Sequence, residues 1–238
     1  QEADAFLQDA ALPDDVRLQT FSRLGQLLKR LERLPEAAET WQDWITHVKR
    51  GASAKDLLCV TGDLGGAYIG LQVLEREKKI FLENPGIQPD LSGNEYVIER
   101  QLKPEARRET ILKLRELGVH PTSMIDISDG LSSETLHLCR QSGTGCDLYE
   151  DKFPIDPQTY DRAREFGLDP TVCALSGGED YELLFTIRPD DYEKLREHLD
   201  VSIIGHMTDQ ASGVNLITRS GGSVPITAQG WDALLSKN

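Results

Sequence analysis

Two aspartates three positions apart, Asp126 and Asp129, lie in the segment Ser123-Met-Ile-Asp-Ile-Ser-Asp-Gly-Leu-Ser132, where an apolar run gives way to a helical pattern. Carboxylate oxygens at such a turn suit Mg²⁺, a hard cation that takes one or two protein carboxylates and fills its shell with water and phosphate oxygens. The same residue types satisfy free N–H groups at a helix start, so Ser128 or Asp129 as a plain cap is the competing reading. A second segment, Ala174-Leu-Ser-Gly-Gly-Glu-Asp-Tyr-Glu-Leu-Leu-Phe-Thr-Ile187, sets a Gly-Gly turn and the acids Glu179 and Asp180 ahead of an apolar strand. Glycines allow backbone amides close to a ligand, and the two acids can hydrogen-bond a polar substrate or a metal-bound water. Here the competing reading is an ordinary turn with a solvated acidic flank.

The elements that must position these residues follow from periodicity. Met124, Ile125 and Ile127 read as a short buried strand, Gly130 as a turn, and Ser132 to Ser142 as a helix with Leu131, Leu136 and Leu138 inward. Asp126, Ser128 and Asp129 then crowd at the carboxyl end of a strand, where layered α/β folds tend to bind ligands. Further strands are expected at Leu57 to Thr61, Asp147 to Tyr149, Glu182 to Ile187 and Ser202 to Gly205, with a terminal hairpin around Gly221-Gly222. Helices are expected at Ala67 to Lys79, Glu95 to Arg100, Pro104 to Leu117, Pro157 to Phe166 and Asp190 to Leu199. The pattern predicts an α/β (α+β) fold with helices packed on a mixed sheet.

Composition narrows the function classes. The chain has 238 residues, 39% hydrophobic, enough for one good-sized domain plus a small one. A formal charge of −14 argues against binding nucleic acid or an anionic membrane and is compatible with a site that gathers divalent cations. Cys59, Cys139, Cys146 and Cys173 form no Cys-x-x-Cys pair, so they read as reduced and buried, as in a cytoplasmic protein. No apolar run reaches the roughly 18 residues that span a membrane. No Walker-type loop is present, and Gly62-Asp-Leu-Gly-Gly66 lacks dinucleotide-fingerprint spacing, so a nucleotide would be held through metal and scattered contacts.

Taken together, DISDGLSSE, SGGEDYELLFT and then Gly230-Trp-Asp232 resemble the thiamine-monophosphate kinases of the aminoimidazole-ribonucleotide-synthetase-like (AIR synthase-related) superfamily. The resemblance extends to Lys49-Arg-Gly-Ala52, to Asp56 through Gly70, to Arg100-Gln-Leu-Lys-Pro-Glu-Ala-Arg107, and to Ile204-Gly-His-Met-Thr208. It implies ATP-dependent phosphorylation of thiamine monophosphate to thiamine diphosphate with Mg²⁺, on the family's carboxyl-terminal domain, over 49–238. It also implies that Asp126 and Asp129 are Mg²⁺ ligands, that Ser128 and Lys49 contact ATP, and that Glu179 and Trp231 contact the substrate. Lys49 falls where the family has an arginine unless the register shifts to Arg50, and a lysine supplies charge without the planar fork. Trp231 offers a flat face for a thiamine ring, with cation–π attraction to the thiazolium.

The departure from the family lies ahead of this domain. Leu18, Phe21, Leu24, Leu28 and Leu31 share one helical face, Ala37, Ala38, Trp41, Ile45 and Val48 another, and Pro35 stands where a second helix would start. Residues 1–48 thus read as an α-helical hairpin that resembles a single tetratricopeptide repeat. One repeat cannot bury its apolar face alone, so the hairpin is expected to pack on further repeats, on the kinase-like domain, on a second copy of the chain or on a protein partner, or else to serve as a plain helical linker. With Gln1 in first place, the chain is expected to be a fragment or a fusion, inactive alone for want of the family's amino-terminal Mg–ATP domain. Two other readings stay open. One is a different kinase-like member of the superfamily; the other is a non-catalytic binding or scaffold module.

Overall fold

A computed structural model describes residues 51–196 and 200–227. They belong to the second of two units into which the chain divides, His47–Asn238. The expected hairpin over 1–48, with Lys49, Arg50 and Trp231, lies outside the described residues.

The elements run β1 (Leu57–Thr61), α1 (Gly66–Glu83), α2 (Glu95–Leu102), α3 (Arg108–Glu116), β2 (Ser123–Asp126), α4 (Leu131–Ser142), β3 (Thr144–Tyr149), α5 (Pro157–Glu165), α6 (Pro170–Ser176), β4 (Leu183–Ile187), α7 (Tyr192–Leu195), β5 (Val201–Asp209), β6 (Val214–Ile217) and β7 (Ser223–Pro225). One seven-stranded sheet has the order β2-β4-β1-β5-β3-β6-β7. Every pairing is antiparallel except β3 with β6, so the sheet is mixed as expected.

Strand alternation assigns the core. Leu58 and Val60 of β1 and Leu184 of β4 join Leu131, Leu138, Leu148, Ile204 and Met207 in one cluster. Cys59, Phe185 and Ile187, pointing the other way, join Leu114 of α3 and Leu195 of α7 in a second. Both faces of the central strands are therefore covered, which is why Leu183 to Ile187 reads as a nearly continuous apolar run. A third cluster, Ile69, Val73, Val97, Ala163 and Cys173, packs α1, α2, α5 and α6 together.

Helix starts follow local chemistry. Asp156 accepts from the Gln158 amide at 2.8 Å, and Asp169 from the Thr171 amide at 2.8 Å, each followed by proline at the first helical position. The second of these Asp-Pro pairs starts α6, a helix missed in the sequence pattern because its seven residues are too few to show a period. Helix α3 begins at Arg108, not Pro104, and Arg107 just before it is drawn to Glu182. Of the expected helix from Asp190 to Leu199, a 3₁₀ turn and the short α7 are seen, and 197–199 are outside the described residues.

Candidate functional site

Antiparallel pairing gathers three loops at one edge of the sheet. Asp126 pairs with Leu183 and Val60 with Leu184, so the loops after β1 and β2 emerge beside the loop that enters β4. The DISDG and GGED segments meet there through their backbones. The Glu179 amide donates to the Ser128 carbonyl at 2.8 Å, the Tyr181 amide to the Ile127 carbonyl at 2.8 Å, and the Ile127 amide to the Glu182 carbonyl at 2.8 Å. Gly178 makes this approach possible: at φ +71, a Cβ on it would stand 2.7 Å from the Ser128 carbonyl oxygen. Glu179 and Tyr181 also have positive φ, 63° and 51°, a conformation that costs energy for residues with a Cβ and clusters at functional sites. The Tyr181 hydroxyl donates to Glu179 Oε2 at 3.0 Å.

The acids of the two motifs divide by environment. Asp126, Asp129 and Glu179 are exposed and Ser128 is half-buried. Asp180 is buried, its Oδ2 accepting from the Gly65 amide at 2.8 Å and its Oδ1 from the Ala67 amide at 3.2 Å at the start of α1. Burial pushes its carboxyl up to about 7, against the pull of those two amides. Asp180 is therefore engaged in anchoring α1, whereas Glu179 is exposed, so the two acids expected to act alike are placed differently. The idea that Ser128 or Asp129 caps α4 is also overturned, because the N-cap is Gly130 and no side chain caps the helix there. Instead Glu134, in the first turn of α4, reaches back: its Oε1 accepts from the Asp129 amide at 3.0 Å and from the Ser128 hydroxyl at 3.4 Å.

Behind these loops lies a charge network that sequence reasoning did not find. Glu182 is 0% exposed and accepts from Thr61 Oγ1 at 2.6 Å and Arg107 Nε at 2.6 Å, with Arg100 Nη1 at 2.9 Å. A Cβ at Gly62 would fall 2.4 Å from its Oε1, so glycine there is a space requirement. Arg100 also donates to the Asp63 carbonyl at 2.9 Å, and the Asp63 carboxylate takes the Tyr96 hydroxyl. Burial holds the Asp63 carboxyl above its ordinary value. Beside the network a polar cleft of about 470 Å³ is lined by Thr61, Gly62, Asp63, Arg107, Lys113 and Asp200 among others. No spacing rule links these partners in the sequence, because they come from residues 61–63, 96–100, 107 and 182.

Among the described residues, no three His, Cys, Asp or Glu side chains converge as a metal site. The four cysteines are buried and unlinked, with burial pushing Cys59 up to about 12. No described helix is long and apolar enough to cross a membrane.

Comparison with known proteins agrees with this arrangement. Residues 55–216 match the family model described as AIR synthase related protein, C-terminal domain. A thiamine-monophosphate kinase of Buchnera aphidicola subsp. Schizaphis graminum is 35% identical over 176 residues, 71% of this chain and 50% of that protein. One from Pyrococcus abyssi is 34% identical, covering 79% of this chain and 53% of its own length. A solved structure described as AaThiL complexed with AMPPCP and TMP superposes with a TM-score of 0.60 at 28% identity, over 74% of this chain and 51% of that one. The chain thus spans about half the length of the relatives it matches. With the family model covering well over half of the chain, and with the two motif loops joined as described, the chain belongs to the AIR synthase related proteins, whose C-terminal domain it carries.

Proposed function

We propose that this domain is the substrate-facing part of an ATP-dependent thiamine-monophosphate kinase. The reaction moves the γ-phosphoryl group of ATP onto a phosphate oxygen of thiamine monophosphate, releasing ADP and thiamine diphosphate. The observation that carries this reading is the backbone junction of Glu179 with Ser128 and Tyr181 with Ile127, which brings a candidate substrate contact and candidate nucleotide and metal contacts to one edge. The similarity to thiamine-monophosphate kinases, and to a structure holding AMPPCP and TMP, supports the same reading.

In this reading Asp126 and Asp129 hold Mg²⁺, Ser128 and Lys49 contact ATP, and Glu179 and Trp231 contact thiamine monophosphate. The residues present fit the ion: two exposed carboxylates on either side of buried Ile127 supply hard oxygens in the number that Mg²⁺ commonly takes from protein. Bound there, Mg²⁺ would neutralise negative charge where two phosphates meet. The chain's own contribution is positional. The joined loops keep the nucleotide-contacting and substrate-contacting groups at a constant separation, which is what phosphoryl transfer chiefly needs from protein. Lys49 and Trp231 enter this proposal on the resemblance alone.

Two carboxylates compete poorly with water for so strongly hydrated an ion, so turnover needs ligands beyond those described. The test is to combine this chain with the segment of an intact relative that it does not match, and to follow thiamine diphosphate formation. Product that depends on both pieces and is lost in Asp126→Asn supports the assignment; product from the combination that survives Asp126→Asn and Glu179→Ala overturns it. A second copy of the chain, or another protein, is the proposed partner of residues 1–48 on their sequence pattern alone, and sedimentation of Trp41→Ala beside the parent chain tests that part.

A further inference from the structure

Glu134 is 2% exposed, an unusual burial for a carboxylate in the first turn of a helix. In the usual capping box, a Ser or Thr N-cap folds its side chain onto the helix while a Glu one turn later returns to the N-cap amide. Here the N-cap is Gly130, which has no side chain to spend. Glu134 therefore reaches past it to the amide of Asp129 at 3.0 Å and the hydroxyl of Ser128 at 3.4 Å. Its own amide closes the ring by donating to the Gly130 carbonyl at 3.3 Å. The other carboxylate oxygen, Oε2, is buried and takes no hydrogen bond from the described residues.

Burying a carboxylate with one oxygen unmatched is costly, and a capping Ser or Asp cannot stand in for it, because Gly130 holds φ +113 and a Cβ there would lie 2.7 Å from the Leu175 carbonyl oxygen. The arrangement seen keeps the Asp129 carboxylate exposed while its backbone is tied from inside. A buried carboxylate kept with one oxygen unmatched, in order to hold a single exposed loop, points to a functional requirement on that loop.

We propose that Glu134 is a positioning residue: its buried carboxylate presets the Ser128-Asp129 loop so that Asp129 and Ser128 face a metal ion and its nucleotide without first reorganising. The inference deepens the kinase reading and rests on the assignment of this loop to metal and nucleotide. It requires an acceptor at Oε1 and not a charge, because Oε2 has no partner to lose. Glu134→Gln therefore preserves the function, whereas Glu134→Ala and the shorter Glu134→Asp remove it. Residues that orient a metal ligand from behind typically change metal affinity by about 10- to 100-fold when removed.

The test uses the full 238-residue chain and two measurements. Amide hydrogen exchange by NMR reads the Asp129 N–H directly, with no metal present; it is expected to speed up about tenfold in Glu134→Ala and to stay protected in Glu134→Gln. Mn²⁺ alone, followed by water-proton relaxation, is expected to bind about tenfold more weakly to Glu134→Ala and about as well to Glu134→Gln as to the parent. Unchanged Asp129 exchange and Mn²⁺ affinity in Glu134→Ala would overturn the proposal. So would a Glu134→Gln chain that folds but loses both, and this variant decides the matter if Glu134→Ala does not fold. A parent chain whose Mn²⁺ binding ignores Asp129→Asn would strike the kinase reading instead, leaving the Asp129 exchange result to stand on its own.

Discussion

The amide of Glu179 donates to the carbonyl of Ser128 at 2.8 Å, joining a residue before β4 to a residue after β2 at the same edge of the sheet. This bond sets the spacing between the two acidic loops through backbone alone. Neither side chain is spent on the junction, although the Ser128 hydroxyl donates to Glu134 Oε1 and Glu179 Oε2 accepts from the Tyr181 hydroxyl.

Gly178 is the weak point of that junction. Gly178→Ala would force a Cβ against the Ser128 carbonyl at a backbone φ of +71. The expected loss is about 1–3 kcal/mol of unfolding free energy, read from urea denaturation, with weaker Mg²⁺–ATP binding in the fraction that stays folded. A variant as stable as the parent would show that the loops separate without cost.

Glu182 carries the buried charge network. Removing one partner leaves charge uncompensated in the interior, so Glu182→Ala is expected to cost about 3–5 kcal/mol, with Arg100 and Arg107 stranded beside Thr61. Thermal unfolding measures it. A loss under about 1 kcal/mol would mean that water reaches the guanidinium groups as soon as the carboxylate is gone.

Stability should fall as pH rises toward neutrality. Burial raises the Asp180 carboxyl from 3.8 to about 7 in the folded chain, so the folded state binds more protons than the unfolded one between those values. The contribution is therefore fully present below about pH 4 and is lost as pH climbs through 7, with a slope of at most about 1.4 kcal/mol per pH unit. Urea midpoints at pH 5 and pH 8, compared between the parent and Asp180→Asn, check it: the variant should show the flatter profile.

Asp126 and Asp129 are predicted to bind Mg²⁺–ATP weakly in this chain, because two carboxylates leave most of the ion's shell to water. Calorimetry should give a small signal that disappears in Asp129→Asn. Tight binding indifferent to that substitution would remove both residues from the metal assignment.

The sequence by itself determined which chemistry was available and roughly where. An apolar run ending in Asp-x-Ser-Asp-Gly predicts a strand and a turn from local physics, and β2, α4, β1 and β4 appear close to where periodicity put them. The mixed sheet with packed helices was legible for the same reason, since alternation and caps are properties of neighbours along the chain. What tertiary structure alone decided was how each acid is used. Glu179 and Asp180 are adjacent and chemically alike, yet one is exposed while the other is buried against the amides of Gly65 and Ala67. Glu182, one more acid in the same run, lies under Arg100 and Arg107 from a segment far upstream. Glu134, in the first turn of α4, finds its partner in the Asp129 amide, with Gly130 as the cap between them. A carboxylate's role depends on the donors and the solvent around it, and in a sheet whose neighbours are distant in sequence, only the pairing of β2, β4 and β1 brings those donors within reach.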